Sequence, residues 1–266
     1  MIAGYSKITH ESILEGQKTP CSGGKRAALW PSAPRAGTLR PVSFTRDALT
    51  VLGKDVRIEL RTRELVVTMG FFAVLVAIIC SMAFFVDERT GRKVASGVLW
   101  VAVAFAGSLG LVRAFARERE EQAFSALLLS PASRAAIFVG KAAFSLLFLI
   151  GTEAIVLPLV GVLFHLDLWP IAGPLALVLF LGTAGYAIAG TVFGAMTVRT
   201  RSRDFMLSVV LYPLVLPALL SGVVATRELF DGATFGEVAG WMRLLGVMDV
   251  LLLVGSLWIF DPLMRD

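Results

Sequence analysis

The sequence predicts an all-α integral membrane protein in which six transmembrane helices follow one amphipathic interfacial helix. Three observations predict it. Of 266 residues 56% are hydrophobic and only 17% charged, with a mean hydropathy of +0.78, which is outside the range of a soluble domain with one core. The apolar residues fall in six runs of membrane length. The charges gather in short segments between those runs.

Residues 1–41 carry Pro20, Pro31, Pro34 and Pro41 with no apolar periodicity, so a disordered tail is expected, or an upstream misassignment of the start. Most of the formal net charge of +5 sits in this tail, and no basic patch with interleaved aromatics remains for nucleic acid. A cleaved signal peptide is not expected, because no continuous apolar core precedes a cleavage site.

Residues 42–64 read as the amphipathic lead-in helix. Leu49, Leu52, Val56 and Leu60 recur every three or four positions among Lys54, Asp55, Arg57, Glu59, Arg61 and Arg63. A solvated juxtamembrane helix fits the same periodicity equally well.

The six-helix domain then occupies 65–266. Leu65–Val86 and Val94–Val112 are uncharged, and Ala142–Phe164 contains only Glu153. Ile171–Val198 is long enough to require tilt or bending, Phe205–Thr226 is uncharged, and Leu244–Phe260 is short and contains Asp249. Trp100, Trp169, Trp241 and Trp258 fall near segment ends, where interfacial aromatics collect. Pro158, Pro213 and Pro217 predict kinks or partial unwinding, and Gly190 with Gly194 forms a G-x-x-x-G pair for close helix packing. Lys and Arg favour the side carrying both termini by fourteen to five, which predicts cytoplasmic N- and C-termini.

Between the second and third runs lies the one long charged segment, 113–134. Arg113, Arg117, Arg119, Glu120 and Glu121 precede Phe124, Leu127 and Leu128 at helical spacing, and Ser130-Pro131 ends the pattern. A surface helix offering one face to a partner is expected here, against the plainer reading of a solvated connection.

Little points to chemistry within the chain. Glu153 is an intramembrane carboxylate, read as a protonated or hydrogen-bonded structural group ahead of a coupling site. His165 could ligate a haem iron, although a lone His near an interface more often anchors. Cys21 and Cys80 are too far apart in character to build a disulfide or a metal site, and none is expected. No phosphate-binding loop, nucleophile elbow or zinc motif occurs, so a non-enzymatic subunit without a bound cofactor is expected.

The run Leu127-Leu128-Leu129-Ser130-Pro131-x-x-Arg134-x-x-Ile137-x-x-Gly140-Lys141 resembles the cytoplasmic segment of the haem exporter permease family, the B subunit of the cytochrome c maturation system. Lys54-Asp55-x-Arg57-x-Glu59-x-Arg61-x-Arg63-Glu64 is similar to that family's lead-in helix. Leu181-Gly182-Thr183 through Gly190-Thr191, Arg199-Thr200-Arg201 and Pro213-x-x-x-Pro217 resemble its fourth and fifth segments. The likeness covers about residues 43–264 and departs at Gln122 and Ser125, where family members often carry Gly and Glu.

The resemblance implies an ABC-2-like permease in the bacterial inner membrane, with ATP bound by a separate ABC subunit. It implies further partners: a haem-handling membrane subunit, a periplasmic haem chaperone and a second copy of this chain. ATP hydrolysis in the partner would drive either export of haem as substrate or release of a haem-loaded chaperone. An ABC-2-type exporter of another amphiphile and a non-transporting scaffold are the alternatives, and neighbouring genes for cytochrome maturation would discriminate.

Overall fold

The computed structural model describes residues 44–84, 88–120, 133–199 and 204–263, without the side chains of 88–89, 117–120, 197–214 and 261–263. The expected tail lies outside the described residues, and the fold is that of the unit Pro41–Asp266. Seven helices follow in order: α1 Phe44–Thr62, α2 Glu64–Phe84, α3 Glu88–Glu120, α4 Arg134–Leu163, α5 Ala172–Arg199, α6 Asp204–Phe230 and α7 Phe235–Leu263. No strand occurs among the described residues.

Five helices, α2, α3, α4, α5 and α7, are long and apolar enough to cross a membrane. The sixth expected span falls on α6, of which the side chains of the first half lie outside the described residues. Burial sorts the five. Within their membrane-length windows α3 and α5 are 72% and 67% buried, against 33% for α2 and α4 and 17% for α7, so α3 and α5 form the centre. Phe71 and Met82 on α2, and Val250, Val254 and Trp258 on α7, are left largely exposed. Apolar surface of this extent is stable against hydrocarbon rather than water.

Cross-helix contacts fix the directions. Arg113 near the end of α3 meets Glu64 at the start of α2, and Ser145 on α4 meets Thr191 on α5. Trp100 Nε1 on α3 donates to Thr226 Oγ1 on α6 at 3.0 Å, and Phe138 on α4 stacks with Phe260 on α7. Each of these pairs runs antiparallel. The end of the bundle that carries α1 therefore also carries the end of α3 and the start of α4.

The turns are set by local backbone chemistry. His165 adopts φ 52°, with His165 N–H donating to Val162 O and Leu166 N–H to Gly161 O, a Schellman end to α4. Gly232, at φ 93°, closes α6 in the same way, through Gly232 N–H to Leu229 O and Ala233 N–H to Glu228 O. Glu237 Oε2 accepts from Thr234 N–H at 2.7 Å and starts α7.

Several expectations are corrected. Arg113 to Glu120 are the last turns of α3, continuous with the membrane segment, and not the start of a separate surface helix. Nothing between Val112 and Glu120 breaks a helix, since the stretch holds no Gly or Pro. α4 runs through Pro158 to Leu163 and α6 through Pro213 and Pro217, so the partial unwinding expected at these prolines is absent from both helices. Ser221 Oγ donates to Pro217 O at 2.7 Å within that helix. Trp100 is 2% exposed and packs between Gly182 and Gly222 in the interior, so it is no interfacial anchor. Trp169 and Trp258 are exposed.

Candidate functional site

The polar residues with the most specific geometry gather at the α1 end of the bundle. On α1 the buried face consists of Ala48, Val51, Asp55 and Glu59, and it packs on α4. Gly140 permits this approach, because a Cβ there would meet Ala48 O and the Val51 side chain. Leu49 and Leu60, on the stripe one residue further round, are exposed, with Leu52 and Val56 half-buried. The apolar stripe of the helix thus faces outward, while two carboxylates face the protein.

Those carboxylates have distinct roles. Lys141 Nζ lies 3.1 Å from Asp55 Oδ2, with the two side chains 5% and 8% exposed, and Lys54 Nζ lies 3.0 Å from Asp55 Oδ1. A charge this far from solvent is tolerable only when paired and hydrogen-bonded. Glu59, 1% exposed, accepts from Leu65 N–H at 2.7 Å and Val66 N–H at 3.2 Å through Oε1. It caps α2 across the joint, where amide hydrogens lack helical acceptors and the helix dipole favours a negative charge. Arg63 forms the joint itself at φ 55°, with its N–H donating to Glu59 O at 2.6 Å.

The charged end of α3 is tied to this joint. Arg113 Nη1 lies 3.4 Å from Glu64 Oε1, both side chains being half-exposed. Arg57 and Arg61 are exposed nearby on α1. Arg117, Arg119 and Glu120 belong to α3, with side chains outside the description, and Glu121, Phe124, Leu127, Leu128 and Pro131 lie outside the described residues. The described residues therefore define an elbow, α1 to α2 to α4, beside the end of α3.

Within the bundle, Gly190 rests against Leu111 and Gly194 against Phe115, so the G-x-x-x-G face meets α3 of the same chain. Tyr186 O–H donates to Ala104 O at 2.8 Å, a second α5–α3 tie. Glu153 is 5% exposed, and its Oε1 has no hydrogen-bond partner among the described residues. Asp249 Oδ1 lies where a Cβ on Gly185 would stand. Glu153 is about 12 Å along α4 from Ser145, and Gly185 about 9 Å along α5 from Thr191, by helical rise. Because Ser145 and Thr191 meet, the two carboxylates share a depth to within one turn. Pro158 and Pro217 are exposed, and His165 is an exposed turn residue.

In the sequence Lys141 stands directly before the third apolar run, and Glu59 is one charge among several on the lead-in helix. The available signal for Lys141 was a lone cation inside an apolar helical run, which requires a partner. Burial of Glu59 left no comparable signal.

A bundle of helices long and apolar enough to cross a membrane, with exposed apolar faces and a polar elbow at one end, defines a multi-pass membrane protein. The profile of the family described as CcmB protein matches residues 46–260, and the chain belongs to that family. It is similar to Heme exporter protein B of Bradyrhizobium diazoefficiens, 25% identical over 182 residues, 68% of this chain and 82% of the relative. The protein of that name from Rhodobacter capsulatus is 28% identical over 187 residues, 68% and 83% of the two chains. That from Pseudomonas aeruginosa is 27% identical over 206 residues, 76% and 90%.

Proposed function

We propose that this chain is the permease subunit of an ABC-type haem exporter of the bacterial inner membrane, serving cytochrome c maturation. The observation that carries the reading is the family match over 46–260, together with relatives named Heme exporter protein B. The sequence holds no phosphate-binding loop, so the energy of ATP enters through a separate subunit on the cytoplasmic side. That side is the α1 end, in keeping with the distribution of Lys and Arg.

The motor subunit docks on the segment 113–134. Its stroke acts on the end of α3, which is continuous with the central membrane helix. Since Arg113 touches Glu64 at the start of α2, and Asp55 holds α1 to Lys141 on α4, displacement of the α3 end reaches three helices together. A packed unit of this kind moves as a body rather than bending locally. Haem is the substrate, or its loaded chaperone is what the stroke releases; no residue of this chain is assigned as a haem ligand.

The test combines a mild-detergent pull-down with coupled ATPase assays. An ATP-binding subunit and cytochrome maturation proteins should co-purify. Charge reversal at Arg117, Arg119, Glu120 and Glu121 should abolish coupled ATPase activity while the protein stays in the membrane. Full coupled activity in those variants would refute the docking assignment, and absence of any ATPase would refute the transporter reading.

A further inference from the structure

At the end opposite α1 the outer part of α3 is flanked by α2 on one side and α6 on the other, with an open groove of about 280 Å³ between them. Its floor and walls are apolar, with Cys80 and Phe84 from α2, Val98 and Val101 from α3, and Val223 from α6. Two cations also line it, Lys93 on α3 and Arg227 on α6. Lys93 is exposed and makes no ion pair among the described residues. Arg227 Nε lies 4.0 Å from Asp231 Oδ2, and both side chains are half-exposed.

We propose that this groove binds one anionic phospholipid of the surrounding bilayer, its phosphate between Lys93 and Arg227 and an acyl chain along the apolar floor. Charge complementarity selects the headgroup. The groove opens sideways beside lipid-exposed residues, Phe84 at 51% and Val101 at 41%, so a lipid enters without crossing a barrier. A narrow apolar trough suits a flexible chain. A phosphate between an ammonium and a guanidinium accepts charge-assisted hydrogen bonds from both.

The turn that carries Arg227 is fixed from within. Thr226, next to Arg227, accepts from Trp100 Nε1, which locks the turn of α6 that carries the guanidinium to α3. Gly97 also lines the groove, and a Cβ built there meets nothing within 4 Å. A side chain at this position therefore starts from open space within the trough.

Native mass spectrometry of the full chain, released from nanodiscs of phosphatidylcholine with a minority of phosphatidylglycerol, reads the occupant directly. The wild type should retain phosphatidylglycerol in preference to phosphatidylcholine. Lys93→Gln and Arg227→Gln should each lower that retention about fivefold, as expected for loss of one cation at a lipid surface. Gly97→Leu should lower it with both cations present, which separates blocking from loss of charge, and circular dichroism should report equal helicity in all variants. Equal retention by wild type and variants would overturn the proposal. So would a haem band that depends on Lys93 and Arg227, or disulfide cross-linking of two copies through Cys80 in a Cys21→Ser background.

Discussion

Lys141 on α4 and Asp55 on α1 form an ion pair of 3.1 Å almost entirely removed from solvent. Removing Asp55 strips the buried Lys141 of this carboxylate, at a cost of about 3–5 kcal/mol, whereas removing Lys141 leaves Asp55 paired with Lys54 and should cost less, and replacing both by apolar groups of similar volume is often neutral. Asp55→Leu alone should therefore lower the unfolding temperature of the detergent-solubilised protein sharply and Lys141→Met alone by less, and the double variant should recover most of the Asp55→Leu loss. Additive losses in the double variant would show that the two side chains are not coupled.

The glycines separate by what a methyl group would meet. A Cβ on Gly182 would collide with the Trp100 ring, and one on Gly194 with the Phe115 ring, whereas Gly53 faces open space. Overpacking of this kind costs about 1–3 kcal/mol. Gly182→Ala and Gly194→Ala should destabilise by that order in thermal unfolding. Gly53→Ala, in an exposed position of α1, should stabilise by up to about 1 kcal/mol through helix propensity.

Arg113 and Glu64 make the opposite case. Both side chains are half-exposed, at 50% and 58%, and 3.4 Å apart. Solvent screening leaves such a pair worth at most about 1 kcal/mol. Glu64→Gln should barely change the unfolding temperature and should remove whatever salt dependence the pair confers. A clear loss of coupled ATPase activity in the same variant, at unchanged stability, is the result the lever arrangement requires.

The membrane class and the positions of α2, α4 and α5 were legible because long apolar runs have few alternatives to a membrane helix. The G-x-x-x-G pair was legible as a packing face, but its partner was not, since Leu111 and Phe115 are apolar residues like any others on α3. The elbow was misread for a physical reason. Asp55 and Glu59 look like the solvent face of an amphipathic helix, and only the location of Lys141 and of the α2 amides makes that face the buried one. The extension of α3 to Glu120 was missed because the change from apolar to charged residues marks a change of solvent, while the backbone needs a breaker to stop.

Glu153 remains the group with the largest range of outcomes. It is 5% exposed, its Oε1 meets no partner among the described residues, and Asp249 lies within a turn of its depth. A pair of carboxylates at one level is what a proton- or cation-coupled carrier needs, but a permease driven by ATP needs neither group for energy. Gln preserves the shape of Glu153 and removes the cost of holding a charge away from water. Glu153→Gln should therefore keep coupled ATPase activity within about twofold, since each tenfold would require 1.4 kcal/mol, and should leave thermal stability unchanged or raised. The same holds for Asp249→Asn. Loss of activity in both variants at undiminished stability would assign the two carboxylates to ion movement and set aside their structural reading.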